Sequence, residues 1–330
     1  MQKVTKELLS LDTKDQKILA ELFRDGRAHY STIAKNTHIS KDIVNYRISK
    51  LIESGVMTNV STIIDVNKLG WSSAIVFFKI MNLDKTKIKQ FVKYLVDSPF
   101  IVEILELAGR WDFIVRFYHK DNAHLNQQIS ELETRFPNLI DNHSIFFISE
   151  NIPLPYNALF TEHAVKAKRS TYQLYKPDKL DLKILSKISF YGRTPLAKLQ
   201  EELNENRMTI YNRINKMLKA GIIQSFRPNL FTEKLGFHWY IIDVKLNNRA
   251  QVKAIADKLK NILNVHWIMY GFGVADIAFD IQVKHVQELQ SILYMIREQF
   301  SKDIKSVESS IVIQDYKWDF FPKGFLKQID

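Results

Sequence analysis

The chain has 330 residues, 46% hydrophobic and 25% charged, with no cysteine and a formal charge of +11. That length gives ample core for two or more domains, and the missing cysteines exclude disulfides, thiolate zinc sites and cysteine nucleophiles while fitting a reducing cytoplasm. The cationic excess points to a polyanionic partner. With no apolar run of membrane-spanning length and no signal-peptide core in MQKVTKELLS, a cytoplasmic protein with no membrane partner is expected.

The first 58 residues read as three helices. Apolar spacing predicts one over Thr13–Arg24, with Ile18, Leu19, Leu22 and Phe23 on one face. A turn at Asp25-Gly26-Arg27 leads to a short helix near 31–36, and Thr37-His38-Ile39 leads to a third over 40–55. Ser40 is a good N-cap for that third helix, and Gly55 tolerates the left-handed conformation of a helix end. Ile43, Val44, Ile48, Leu51 and Ile52 form its apolar face, and Lys41, Asn45, Tyr46, Arg47 and Lys50 are directed outward. Two helices joined by a tight turn, after a supporting helix, are the parts of a helix-turn-helix.

Residues 59–150 alternate strand and helix. A connecting strand near 59–65 precedes strands at 74–81, 101–107, 113–118 and 144–149, with helices at 85–96 and 122–136. The order βαββαβ is ferredoxin-like, an antiparallel sheet with both helices on one face. The bare face needs a cover, most simply a second sheet. Residues 151–179 read as a linker, partly helical across 157–168, because they carry Pro153, Pro155, Pro177 and the basic run Lys166-Ala167-Lys168-Arg169.

Residues 180–224 repeat the helical design at 182–190, 194–203 and 206–221, with Pro195 suited to a first turn. Arg207, Tyr211, Asn212, Arg213 and Lys216 take the outward positions. Residues 225–330 repeat the strand and helix series. The connecting strand lies near 225–231, further strands at 240–246, 265–270, 275–283 and 306–314, and helices at 250–263 and 285–300. Trp318, Phe320, Phe321 and Phe325 in the tail are expected to cap a core or interface, and Trp71 and Phe237 to be core.

The repetition is exact enough to measure. An offset of 166 positions carries Lys17-Ile18-Leu19 onto Lys183-Ile184-Leu185, Gly26-Arg27 onto Gly192-Arg193, Arg47-Ile48 onto Arg213-Ile214, and Leu69-Gly70 onto Leu235-Gly236. Gly109 and Asp112 align with Gly273 and Asp276 after a slip of two. The expected fold class is therefore α+β, with two copies of a winged-helix-like helix-turn-helix unit followed by a ferredoxin-like domain. A period this long is a domain duplication and not a short solenoid repeat.

The outward residues of the two third helices suit double-stranded DNA. Arginine and asparagine can make paired contacts to guanine and adenine edges, while the lysines and tyrosines suit phosphates. Arg47 and Arg213 are also the members best placed to pack inward. The nine histidines are scattered, with no metal-ligand spacing, and no glycine-rich phosphate loop is present. No cofactor, metal or enzymatic activity is expected.

These motifs, in order, resemble the Lrp/AsnC family, the feast/famine regulators. Leu11-Asp12, Asp15 and Ile18-Leu19 resemble the family's LDxxDxxIL, and Gly26-Arg27 its DGR turn. Ile33-Ala34, Ser40, Arg47, Leu51, Gly55 and Val56 resemble its recognition-helix pattern, and Gly109 and Asp112 its G-x-x-D hairpin. The resemblance implies a DNA-binding transcription regulator whose effector domains associate through their sheets, within the chain or between chains. It further implies an amino-acid-like effector near Gly109, Arg110, Trp111 and Asp112, with Gly273 and Asp276 as the mate. The chain departs from the usual member by carrying two units, and its second copy has Leu199-Gln200 and Asn206 where Leu-Ala and serine are usual. A second resemblance is to the siroheme decarboxylases, which also look like duplicated Lrp/AsnC units but are enzymes. Their His-Asn-Tyr run is absent here, where Val102-Glu103-Ile104 and Val265-His266-Trp267 stand.

Overall fold

A computed structural model describes residues 8–81, 84–160, 165, 175–321 and 324–325. The first unit contains α1 (Thr13–Arg24), α2 (Tyr30–Thr37) and α3 (Lys41–Glu53). Asp12 caps α1 through a capping box with Asp15, and Ser40 caps α3 by accepting from the Ile43 amide. After each third helix the chain turns at a glycine of positive φ, Gly55 at 69° and Gly221 at 70°. The buried stripe of α3 is narrower than its sequence suggests. Val44, Ile48 and Leu51 are buried, but Ile43 and Ile52 are exposed, because they flank the stripe on either side of the a/d-type positions.

β1 (Met57–Ile64) leads into the sheet domain of β2 (Ser72–Ile80), α4 (Lys85–Asp97), β3 (Ile101–Ala108), β4 (Phe113–His119), α5 (Asn122–Arg135) and β5 (Ile140–Pro153). In the expected linker, a single 3-10 turn at Asn157–Leu159 is formed; most of the helix foreseen over 157–168, and the basic run, lie outside the described residues. The second unit has α6 (Lys179–Ile188), α7 (Leu196–Leu203) and α8 (Arg207–Lys219). Asp178 and Asp181 repeat the capping box at α6, and Pro195 stands at the N-cap of α7, one residue before the expected first turn. β6 (Ile223–Leu230), β7 (His238–Leu246), α9 (Val252–Leu259), β8 (Val265–Gly273), β9 (Ile277–Val283), α10 (Val286–Gln299) and β10 (Ile304–Trp318) complete the series.

The two ferredoxin-like sheets do not simply lie face to face. They join at both edges into one closed antiparallel barrel, in the order β10-β3-β4-β2-β5-β8-β9-β7. β5 and β10 make the joins. β5 pairs with β2 from Ile140 to Ile148 and with β8 from Phe146 to Pro153. β10 pairs with β7 from Ile304 to Ile311 and with β3 from Ile311 to Trp318. Both strands therefore run well beyond the 144–149 and 306–314 expected from apolar alternation. Closure leaves no edge strand in the barrel.

Alternation along β2 shows how both faces are buried. Ile75 and Phe77 face the barrel interior with Trp111, Phe146, Trp239 and Trp267. Ala74, Val76 and Phe78 face α4 and α5, and Ile242 and Val244 of β7 face α9 and α10. Such strands read as continuous apolar runs because water meets neither face.

Each helical unit is completed by the other copy. The core of α6–α8 includes Val60, Ile64 and Trp71 from copy one, and Phe321 and Phe325 from the tail. The core of α1–α3 includes Leu235 and Phe237 from copy two and Leu159 and Phe160 from the connection. β1 pairs with β6 along most of their lengths. Beside that ribbon, Arg27 donates to the carbonyls of Gly192 and Thr194 (3.2 Å), and Arg193 donates to those of Gly26 (2.6 Å) and Ala28 (2.9 Å). The repeated Gly-Arg pair is thus a reciprocal clasp. A side chain at Gly26 would collide with the Phe226 carbonyl, and one at Gly192 with that of Val60.

At the β5–β8 seam a Cβ on Gly271 would fall on the Phe147 carbonyl oxygen. Gly271→Ala should lower the stability of the chain by about 3 kcal/mol through forced backbone displacement. Urea unfolding checks this, and an unchanged midpoint would show that the seam can yield.

Candidate nucleic-acid interface and interdomain cavity

The expected readers separate into two groups. On α3, Lys41, Asn45, Tyr46 and Lys50 are exposed and, among the described residues, make no side-chain hydrogen bond or ion pair. Arg207, Tyr211, Asn212 and Lys216 on α8 are in the same condition. They are free to meet a ligand outside the fold.

Arg47 and Arg213 are not. Arg47 Nη1 donates to Asp12 at 2.6 Å and Asp15 at 2.9 Å, the two carboxylates of the α1 capping box. Arg213 Nη1 reaches Asp178 at 2.7 Å and Asp181 at 3.2 Å in the same way. Their recurrence is explained by this link, which ties the third helix of each unit to the start of the first. Removal from water works against ionisation of Asp12. The Asp15 amide and the Arg47 guanidinium outweigh it and hold the carboxyl below its usual range. Asp178 is lowered by the same balance, with Arg213 in place of Arg47.

The residues expected around an effector also have internal partners. Asp112 accepts from Lys79 Nζ at 3.1 Å and the Ile80 amide at 2.8 Å. Asp276 accepts from the Leu246 amide at 2.9 Å, from Lys245 and from Arg249 at 2.5 Å. Arg110 pairs with Glu308 at 2.5 Å and lies over Trp111, whose ring is buried in the barrel. Gly109 abuts Ser310, and Gly273 abuts the Ile145 carbonyl. The two hairpins sit at opposite barrel seams, where their glycines admit the neighbouring strand and their aspartates hold the hairpin to the adjacent strand. None of the six residues lines the large cavity of the molecule.

That cavity, of about 1880 Å³, lies between the α1–α2 turn, α8 and the open end of the barrel. Its lining carries eight Arg or Lys and four Asp or Glu. Two arginines at its floor are almost fully buried. Arg116 forms an ion pair with Glu103 at 2.8 Å and meets Met269 Sδ at 2.8 Å. Arg227 is surrounded by aromatic faces, at 4.6 Å from the Tyr156 ring, 5.2 Å from Trp267 and 5.6 Å from Phe23. Its Nη1 reaches the His266 carbonyl at 3.3 Å, but its Nη2 has no hydrogen-bond partner among the described residues. The Ser73 hydroxyl at the same floor is also unpartnered.

Behind the floor, His266 stacks on Tyr156 at 4.6 Å and stands 3.8 Å from Asp280. Burial, and then the nearby Arg227 charge, hold His266 neutral, well below its ordinary pKa. Burial, reinforced by Glu103, raises the Asp280 carboxyl well above its ordinary value against the pull of Arg116 and Arg227. These residues were not singled out from sequence as a site, although the arginine within the apolar strand Phe113–His119 was a visible signal.

The winged helix-turn-helix DNA-binding family matches residues 11–56, and the Lrp/AsnC ligand-binding domain matches residues 73–153. The HTH-type transcriptional regulator FL11 of Pyrococcus horikoshii is 34% identical over 116 residues, 35% of this chain and 76% of that protein. The regulatory protein AsnC of Haemophilus influenzae is 27% identical over 121 residues, 37% of this chain and 80% of that one. The siroheme decarboxylase NirDL shares the fold across 96% of this chain and 97% of its own, with a TM-score of 0.65 at 13% identity. The chain belongs to the Lrp/AsnC family of transcription regulators. At 330 residues it is twice the size usual for that family.

The Asp280 environment generates a pH test. A carboxyl whose folded pKa is raised above 3.8 stabilises the fold below that value, and the stabilisation is lost as pH rises toward the folded pKa. Asp280→Asn cannot ionise. It should melt at a higher temperature than the parent at pH 8, with the advantage shrinking toward pH 4.5. Parallel melting profiles across that range would show that Asp280 ionises without cost.

Proposed function

We propose that the protein is a sequence-specific DNA-binding regulator that presents α3 and α8 to one operator as a fixed pair. The observation that carries this reading is the set of unpartnered cations, amides and phenols on the two third helices, in units clasped together by β1–β6 and the Arg27–Arg193 contacts. Under this reading residues 1–58 and 180–224 are the two DNA-binding units, 59–150 and 225–330 the effector domains, and 151–179 the linker. Asn45 and Asn212 read bases with Arg207, while Lys41, Tyr46, Lys50, Tyr211 and Lys216 meet phosphates. Arg47 and Arg213 position the helices. The operator is an imperfect palindrome, because the two surfaces differ, with half-sites about 34 Å apart. A small-molecule effector modulates binding, and the satisfied Asp112 and Asp276 direct attention away from the hairpins as its site.

Footprinting on the DNA upstream of the protein's own coding sequence tests the reading. Asn45→Ala with Lys50→Ala should weaken binding at least tenfold and leave the melting temperature unchanged. Asn212→Ala with Lys216→Ala should do the same at the other half-site. Arg47→Ala should instead lower stability by about 1 kcal/mol. No protection at low salt would overturn the assignment.

One observation favours a second reading. The whole-chain likeness to a siroheme decarboxylase, together with a cationic cavity beside His266, supports carboxylate chemistry on a tetrapyrrole. Against it, His266 is enclosed by Tyr156 and Asp280, and 102–104 contains no histidine. Absorbance on adding siroheme, followed by carbon dioxide release, would establish this activity. No spectral change would dispose of it.

A further inference from the structure

We infer that the interdomain cavity is the effector site, that it takes an anion with two or more carboxylates on an apolar body, and that its occupant competes with DNA for α8 alone. The competition rests on the DNA-binding reading above; the site itself does not. Three features carry the inference. First, the floor holds a buried cation that is only partly matched, one guanidinium nitrogen meeting the His266 carbonyl and the other meeting no acceptor among the described residues. Arg227 is 6% exposed and Ser73, of the same floor, 8% exposed, and among the described residues neither Arg227 Nη2 nor the Ser73 hydroxyl has a hydrogen-bond partner. A guanidinium N–H left dry and unmatched costs stability, and a carboxylate satisfies it with a charge-assisted bond.

Second, the same lining supplies further cations that form no ion pair with a carboxylate among the described residues. Arg27 and Arg193 donate to backbone carbonyls, not to carboxylates, and Arg207 makes no ion pair among the described residues. Burial, then the like charge of Arg193, pushes the Arg27 pKa down, which a bound anion would relieve. With Arg27, Arg193, Arg207 and Arg227 all in the lining, one carboxylate cannot meet them all. A volume of about 1880 Å³ also far exceeds an amino acid. Phe226, Ile148, Ile152 and Leu154 supply the apolar lining for the body of such a ligand.

Third, the cavity is one-sided. Arg207 and Tyr211 of α8 line it, while no residue of α3 does. Arg207 cannot pair with a ligand carboxylate and a DNA base edge at once. Occupancy therefore weakens contact at the second half-site and spares the first, and DNA weakens the ligand by the same factor.

Citrate and benzene-1,2,4,5-tetracarboxylate, each titrated calorimetrically into the full chain at constant ionic strength, test the site. At least one should bind with a stoichiometry of one. Arg227→Met should weaken it at least tenfold, and Ser73→Ala and Arg207→Gln about threefold each, while Asp112→Asn leaves it unchanged. The two milder variants keep the test decisive if Arg227→Met does not fold. Failure of both probes to bind, or equal binding by parent and variants, overturns the site. For the coupling, the better probe should weaken protection of one half-site at least fivefold in the parent and not in Arg227→Met; equal loss at both half-sites overturns the one-sided competition. Arg227-dependent binding in a chain that binds no DNA would leave the site standing and bring down the regulatory reading instead.

Discussion

Two strands belong to two sheets at once, and the architecture depends on that. β5 and β10 each begin in one copy's sheet and end in the other's, so neither sheet can be completed alone. Hydrogen bonding along these strands is obligatory, because a buried unpaired backbone group costs as much as a lost hydrogen bond. The consequence reaches the helical units. With the sheets fixed in register, β1 and β6 are brought together, and each three-helix core is filled by side chains from the other copy. The third helices of the two units thus inherit their spacing from the barrel.

The arginines show how position decides role. Four of them recur in equivalent places in the two copies, and all four act within the protein. Arg27 and Arg193 donate to carbonyls across the dyad, and Arg47 and Arg213 anchor a helix to a capping box. Among the outward residues of the third helices, those that differ between copies, Lys41 against Arg207 and Asn45-Tyr46 against Tyr211-Asn212, are all exposed, and so is the lysine the copies share, Lys50 and Lys216. For the arginines, repetition marks what the fold requires.

Much of the fold was legible in the sequence, for particular reasons. Apolar spacing located the helices, Ser40 marked the start of the third, and the offset of 166 exposed the duplication. The barrel was not legible. Nothing in the alternation of β5 says where it changes partner, and the glycines at 271 and 273 that admit the neighbouring strand look like ordinary hairpin residues. Leu-Gly motifs and exposed cations could be read locally. The cavity could not, since Ser73, Arg116, Arg207 and Arg227 are far apart in the chain and meet only after closure. The hairpin residues Asp112 and Asp276 looked like ligand contacts because sequence does not display the backbone amides that occupy them.

The connection between the copies has one more implication. In a protein assembled from separate subunits, dilution dissolves the pair and mutation strikes both halves together. Here the partner is always present at an effective concentration set by the covalent chain, and not by expression. Each half can therefore drift on its own without losing its mate. A single gene can hold two unlike surfaces in a fixed ratio, and a handful of molecules in a cell would remain as fully paired as a thousand.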